Sequence, residues 1–120
     1  MVYPAWTGCG RTRQTRGMGL LEVIALHAAD AQRAEEGGAD RVELLGTLDE
    51  DGLSPEPATV AKVRRATSIQ IRPMVRLRGG FRTDGGELTR LKGLISAYLG
   101  EGADGVVLGF LNSHAGVDLE

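Results

Sequence analysis

Four charged side chains could act together in chemistry: Glu22, Glu43, Arg76 and Arg78. Each lies within or just after a short apolar run of the kind that predicts a buried strand. Two carboxylates beside two guanidinium groups could shift each other's pKa values and support acid–base chemistry. We therefore take Glu22, Glu43 and Arg76 as candidate catalytic residues. The alternative is a layer of ion pairs that fills the interior without chemistry, because buried charges need partners.

The segment Arg78-Gly79-Gly80 forms a second candidate site. Two glycines let backbone N–H groups approach an anion closely, and arginines add charge-assisted hydrogen bonds. The sequence therefore predicts an anion-binding site made of Arg76, Arg78, Gly79 and Gly80. The alternative is a flexible turn. The segment is not a P-loop, because it lacks the lysine and the spacing of that motif.

Residues that bind metals are sparse. His27 and His114 each follow a predicted strand, and with Glu43 they could form a histidine–carboxylate site. Two histidines without close spacing are more often surface loop residues. Met74 fits core packing better than thioether ligation, and the acidic run Asp49–Asp51 fits a solvated loop. We assign no metal ligand from these residues alone.

The apolar pattern predicts the elements that must position these side chains. Strands are predicted at residues 20–26, 40–45, 69–76 and 104–110, and helices at 28–36, 55–66 and 86–100. Ser54-Pro55 is predicted to open the second helix, and residues 117–120 to begin a fourth. Repeated strand–helix–strand units require a parallel sheet with right-handed connections.

Charged and apolar residues alternate in these strands, which distinguishes a barrel from an open sheet. Glu22 and Glu43 lie between apolar neighbours, and Arg72, Met74 and Arg76 share one face of the third strand. An apolar outer face beneath helices and a charged interior fit a (β/α)₈ barrel of the TIM type, whereas a sheet covered on both sides would tolerate such charges poorly. We expect Glu22, Glu43 and Arg76 on the inner face, with at least one Glu–Arg contact.

A short repeat and the length of the chain bear on the architecture. The tripeptide Gly-Ala-Asp occurs at residues 38–40 and 102–104, each time between a helix end and a strand. Two strand–helix units per repeat are typical of a barrel assembled by duplication. A complete barrel takes about 250 residues. The sequence therefore predicts a four-stranded parallel half barrel, either a truncation or a homo-oligomer that closes by self-association.

The composition is that of an ordinary globular protein, with 42% hydrophobic and 25% charged residues. A net charge of −2 argues against nucleic-acid binding, and no apolar run has the length of a membrane span. A single cysteine, Cys9, excludes an intrachain disulfide and fits a reducing, cytoplasmic location. Residues 1–18 show no periodicity and are predicted to be a disordered extension, which leaves residues 19–120 as the domain.

Three blocks of sequence carry a family resemblance: residues 21–60, 72–88 and 102–118. The strings GGADRVEL at residues 37–44 and RLRGGF at 76–81 are the most specific. In this order they resemble the CutC copper-homeostasis family, over about residues 20–120. The resemblance implies a cytoplasmic (β/α)₈ barrel, often dimeric, with copper as a ligand to be expected.

The chain departs from that family at several positions. The family commonly has cysteine where this sequence has Ile24 and Leu45, and copper(I) prefers thiolate or thioether ligands. Leu77 replaces a proline of the glycine motif, and an aspartate before Phe81 is missing. Two functions therefore stay open: a copper-homeostasis protein that binds copper, and a barrel enzyme or sensor for a small anionic metabolite in which the copper role is lost.

Overall fold

The structure, a computed structural model, describes residues 19–118. Its elements are β1 (Glu22–Ala25), α1 (Ala28–Glu36), β2 (Arg41–Leu44), a 3₁₀ turn (Asp49–Asp51), α2 (Pro57–Ala66), β3 (Gln70–Pro73) and α3 (Gly85–Gly100). The three strands form one parallel sheet in the order β1-β2-β3. The predicted parallel α/β arrangement is confirmed. The extension predicted at residues 1–18 lies outside the described residues.

The helices cover one face of the sheet and form the core with it. Val42, at the centre of β2, lies between Val23 and Ile71 in register, and both Val42 and Ile71 are fully buried. Tyr98 of α3 is the largest fully buried side chain. The buried cluster comprises Ala25, Ala31, Val42, Leu44, Val60, Val63, Ile71, Val75, Leu91 and Tyr98. The opposite face of the sheet carries the charged residues, as the alternation predicts.

Helix α2 begins later than predicted. Its N-cap is Glu56, and Pro57 takes the first helical position. The prediction was wrong because two prolines lie close together, and either would suit that position. Ser54, the predicted cap, instead bonds to Arg76: its Oγ accepts the Arg76 N–H at 2.7 Å, and its own N–H donates to the Arg76 carbonyl at 2.9 Å.

The fourth predicted strand is reduced to a single parallel bridge, between Val107 and Met74. We call residues 104–110 the fourth segment. Alternate N–H groups of β3 point toward it, and the Val75 N–H donates to the Val107 carbonyl at 2.8 Å. Pro73 occupies the preceding donor position and has no N–H to give. The ladder is therefore interrupted at Gly105, although the segment runs beside β3 as predicted.

The ends of α3 and of the described chain complete the fold. The Asp84 carboxylate caps α3 by accepting the Glu87 N–H at 2.9 Å. The helix predicted from residue 117 does not form at Val117, which makes an antiparallel bridge with Leu111. Among residues 19–118, no helix is both long enough and apolar enough to cross a membrane.

The Gly-Ala-Asp repeat has the same structural role at both places. The Asp40 N–H donates to the Leu21 carbonyl at 2.9 Å, and the Asp40 carboxylate accepts the Leu21 N–H at 2.8 Å. Asp104 makes the same two bonds with Ile71, each at 2.9 Å. Gly38 and Gly102, which open the two tripeptides, both have positive φ, 95° and 102°. Each aspartate thus joins two neighbouring strands by a pair of hydrogen bonds, and we call this pair the aspartate clamp. It aligns the start of one strand with its neighbour.

We expect Asp104→Ala to cost about 1–2 kcal/mol of unfolding free energy, because the half-buried Ile71 N–H loses its acceptor. Asp40→Ala should cost less, because the Leu21 N–H is exposed to water. The two effects should add, since the clamps share no partner. Urea unfolding of both single variants and the double variant measures this, with the corresponding asparagine variants as controls that keep an acceptor. A larger loss for Asp40→Ala would contradict the clamp.

Candidate functional site

The inner face of the sheet, opposite the helices, carries charged residues from all three strands. Glu22 of β1 lies in register with Arg41 of β2, and Arg41 Nε donates to Glu22 Oε2 at 2.8 Å. The next register pair on this face is Glu43 with Arg72 of β3. A Glu–Arg contact therefore exists, but its arginine is Arg41, which the sequence analysis did not select.

Arg76 does not join the glutamates, contrary to the expected layer. The register partner of Glu43 is Arg72, and Arg76 lies four residues further along the chain, about 13 Å in an extended strand, so it does not reach the glutamates. Its Nε instead donates to the Gly80 carbonyl at 3.1 Å. The expected cluster of Glu22, Glu43 and Arg76 is therefore replaced by two separate sites.

The polar side-chain atoms of Glu43 and Arg72 lack some of their hydrogen-bond partners within the described residues. Among residues 19–118, no group donates to the Glu43 carboxylate or forms an ion pair with it. The Arg72 side chain lies next to Gly105 of the fourth segment. A methyl group added to Gly105 would be 3.7 Å from the Arg72 Cζ atom. Its Nη2 donates weakly to Gln70 at 3.4 Å, and its Nε is buried without a partner in the described part of the chain. Unpaired buried polar groups are costly and often serve a ligand.

Burial raises the pKa of Glu43 above its ordinary value, and the neighbouring Glu22 carboxylate raises it further. The ionised form therefore destabilises the fold, at every pH above the ordinary value of 4.5. We expect Glu43→Gln to raise the unfolding free energy at pH 7 and to have no effect once the pH falls below that value. Chemical unfolding across this range measures the difference. Glu22→Gln, which removes the negative charge that pairs with Arg41, is the matched control and should not stabilise.

Arg76 is held in place on three sides. Its backbone is fixed by Ser54, its Nε by the Gly80 carbonyl, and its guanidinium carbon lies 4.5 Å from the centre of the Phe81 ring. Gly80 adopts a φ of 85°, which a residue with a side chain rarely tolerates. Neither terminal nitrogen of Arg76 has an acceptor within residues 19–118. The guanidinium is thus positioned in advance and keeps donors for another molecule.

Arg78 is engaged within the fold. It forms a bidentate pair with Glu87 of α3, at 3.0 and 3.2 Å, and Glu87 is almost fully buried. Hydrogen bonds from Thr83 and from Arg78 lower the pKa of Glu87 below its ordinary value. Glu87 is not among the residues predicted for the site, although Asp84-x-x-Glu87 has the spacing of a helix-capping pair.

Gly79 faces an acidic side chain of the same chain. A methyl group on Gly79 would overlap the Glu50 carboxylate, so glycine is what lets the 3₁₀ turn approach. The predicted anion site at Arg78, Gly79 and Gly80 therefore has a carboxylate of its own against it. The acidic run Asp49–Asp51 is exposed, as expected of a solvated loop, and Glu50 packs against Gly79 from that exposed position. Of the four predicted anion-binding residues, Arg76 has the geometry best suited to an external ligand.

A cavity of about 340 Å³ lies just beyond the carboxyl ends of β3 and the fourth segment, where barrels bind their ligands. Its wall is mainly apolar, with Met74, Leu77, Phe81, Val107 and Leu108 among its residues. Arg76 belongs to this wall and also to that of a neighbouring cavity of about 330 Å³. A mainly apolar cavity with one prepared cation suits a small molecule that has an apolar body and an anionic group.

The histidines stay apart from this region. His27 stands at the start of α1, mostly exposed, and its Nδ1 lies 3.5 Å from Asp30. His114 lies in an exposed turn, where its N–H donates to Asn112. Within residues 19–118, no group of three or more histidine, cysteine, aspartate or glutamate side chains could hold a metal ion. His27, His114 and Glu43 therefore do not form the metal site that the sequence left open.

Comparison with known proteins agrees with the fold. The sequence profile of the CutC family matches residues 19–120. The chain belongs to the CutC family. A CutC protein of Xanthomonas axonopodis pv. citri (strain 306) is 43% identical over 100 residues, which cover 82% of this chain and 42% of that protein. One of Xylella fastidiosa (strain Temecula1) is 39% identical over 116 residues, covering 93% of this chain and 43% of that protein.

A crystal structure of CutC from Streptococcus agalactiae, a protein named for copper homeostasis, also matches. The TM-score is 0.75 at 28% identity, over 84% of this chain and 50% of that one. The chain thus spans half of that structure and less than half of the curated CutC proteins it matches. The predicted family and the predicted TIM-type half barrel are both confirmed.

The described residues of this CutC chain do not fit a bound copper ion. Copper(I) prefers thiolate and thioether ligands. The described part has one sulfur atom, in Met74, while Met1, Cys9 and Met18 lie outside it. Ile24 and Leu45, where the sequence analysis places the cysteines of the family, are apolar, and Leu45 is buried.

Proposed function

We propose that this chain acts in copper homeostasis as part of a CutC barrel, and that its site binds a small anionic molecule with an apolar body. The role in copper homeostasis is proposed from the name of the Streptococcus relative. The class of ligand is proposed from the geometry of Arg76 and its cavity. We propose a cytoplasmic location on the grounds of the sequence, whose single cysteine fits a reducing compartment.

One observation carries the ligand class: the Arg76 guanidinium is fixed against Phe81 and Gly80 at the wall of the cavity, with its terminal nitrogens unused among residues 19–118. Two terminal guanidinium nitrogens with free N–H groups can hold a carboxylate or phosphate end-on in bidentate fashion, while Nε stays bonded to Gly80. Fixing it beforehand lowers the entropy lost on binding. A bare metal cation would be repelled by the same group.

Glu43 is our candidate for proton transfer. Its carboxylate has no internal partner in the described chain, and burial raises its pKa toward the range that acid–base catalysis needs. Glu22 is less suited to this role, because its carboxylate already accepts from Arg41. Glu43 lies on the inner face of the sheet and is not among the residues that line the Arg76 cavity, so its proton transfer would serve the barrel interior and not the anion held by Arg76.

Titration of the full chain with two kinds of probe tests the proposal. We expect small aromatic and aliphatic carboxylates to raise the melting temperature, and copper(I), presented with a competing chelator, to bind no more tightly than to free amino acids. The Cys9→Ser variant is the control for copper captured by the single thiol. Copper binding that survives in Cys9→Ser, without any response to carboxylates, would contradict the proposal.

A further inference from the structure

The loop that carries Arg76 supplies a second cation to the wall of the cavity. We call residues 76–82 the rim loop, which contains three arginines and no acid. Arg78 is neutralised by its pair with Glu87. Arg82, like Arg76, lines the cavity of about 340 Å³. The wall of this cavity therefore has two arginines, and the acid that it includes, Glu87, is already paired.

The Arg82 guanidinium keeps most of its donors for another molecule. Its Nη2 makes one long hydrogen bond, to the Ser113 carbonyl at 3.4 Å, while its Nε and Nη1 have no acceptor within residues 19–118. The residue is exposed. Its backbone is anchored nonetheless, because the carbonyl of the preceding Phe81 accepts the Leu111 N–H at 2.8 Å. The rim loop therefore fixes the start of this side chain and leaves its charged end available.

Arg82 also lines a smaller cavity of about 290 Å³, which we call the rim cavity. Its wall consists of residues 78–82 of the rim loop and of Leu111, Asn112 and Ala115. The backbone N–H groups of residues 80–82 donate to no acceptor in the described part of the chain. The Glu50 carboxylate lies against Gly79 but is not part of this wall. The rim cavity thus offers guanidinium and backbone donors to an anion, without a carboxylate of the described chain in its wall.

We propose that the ligand of the Arg76 cavity is a dicarboxylate with an apolar middle, whose first carboxylate binds Arg76 and whose second binds Arg82. This inference rests on the proposed function, which supplies the first anionic group. Arg82 lines both cavities, so a molecule in the larger cavity can reach the donors of the rim cavity there. Two guanidinium groups on one wall repel each other, and a second anionic group offsets that repulsion. The mainly apolar wall that they share suits the middle of the ligand.

A matched pair of ligands tests the second carboxylate. Adipate has a carboxylate at each end of a flexible apolar chain, and in monomethyl adipate one of them is an uncharged ester. We expect isothermal titration of the full chain to show that adipate binds about tenfold more tightly than the ester, because it adds a charge-assisted contact. Arg82→Ala should remove this difference and leave binding of the ester unchanged. Arg90→Ala is the matched control, because Arg90 is exposed and lines neither cavity.

The outcomes separate this inference from the proposed function. Failure of both ligands to bind would overturn the proposed function and this inference with it. Equal binding of adipate and its ester would overturn only the second carboxylate, since the ester still reports on Arg76. A preference for adipate that survives in Arg82→Ala, or that Arg90→Ala also removes, would overturn the role of Arg82. Arg82→Lys, which keeps the charge, should retain part of the preference, so the test does not depend on one variant.

Discussion

Replacement of Tyr98 by alanine is expected to lower the free energy of unfolding by about 3–5 kcal/mol. Tyr98 is fully buried in the core between the helices and the sheet, so the substitution leaves a cavity of aromatic size. Its hydroxyl also donates to the Pro55 carbonyl at 2.5 Å, across 43 residues of sequence. A small domain has only about 5–15 kcal/mol of stability in total. Chemical unfolding of the purified variant measures the loss.

Tyr98→Phe is the control that separates the hydroxyl from the ring. It should cost about 1–3 kcal/mol, because the Pro55 carbonyl is left without its donor. Burial raises the pKa of Tyr98 to about 12, so the wild-type chain should lose stability as the pH rises above 10.0, the ordinary value. Tyr98→Phe should not show this loss. Equal stability of Tyr98→Phe and the wild type would contradict the role of the hydroxyl.

Tyr98 also supports the candidate site. It holds Pro55, which directly follows Ser54, and Ser54 forms two hydrogen bonds with the backbone of Arg76. The chain of contacts runs from the helix core to the guanidinium at the cavity wall. We therefore expect Tyr98→Phe to weaken carboxylate binding although Tyr98 does not line the cavity.

Arg76→Ala is expected to weaken binding of a small carboxylate by about 10- to 100-fold. The estimate takes charge-assisted hydrogen bonds at about 1.5–3 kcal/mol, with tenfold in affinity for each 1.4 kcal/mol. The fold should change little, because Arg76 contributes one exposed hydrogen bond and one contact with Phe81. Isothermal titration with benzoate measures the effect.

Two further arginine variants sharpen that test. Arg76→Lys keeps the charge but loses the planar fork and its stacking on Phe81, so it should restore binding only in part. Arg65→Ala removes an exposed arginine from the last turn of α2, away from the cavity, and should bind benzoate like the wild type. An equal loss in Arg65→Ala and Arg76→Ala would mean that only overall charge matters.

The alternation of helices and strands could be predicted from sequence because each element is encoded locally. The run Ala28–Glu36 is ended by Gly37 and Gly38, and the face of α3 is apolar at helical spacing. The fourth strand could not be delimited in this way. Its ladder depends on Pro73, a residue of the neighbouring strand, whose missing N–H matters only once the strands are side by side.

The candidate site shows the same limit. Glu22 and Glu43 could be placed on the inner face because strand alternation is a local rule. Their partners could not, because Arg76 lies beyond the end of β3, and register decides that Arg41 faces Glu22. Arg78 was assigned to an anion because its partner Glu87 lies on the following helix. Contacts between separate elements are what sequence patterns leave out.

The most direct test of the central claim is an NMR titration of the full chain with benzoate and with benzamide, its uncharged counterpart. We predict that benzoate shifts the Arg76 side-chain signal and the backbone amides of Gly80 and Phe81, and that benzamide does so at least about tenfold more weakly, because it lacks the carboxylate that Arg76 would hold. Equal shifts with both probes, or shifts confined to residues outside the cavity, would contradict an anion site at Arg76.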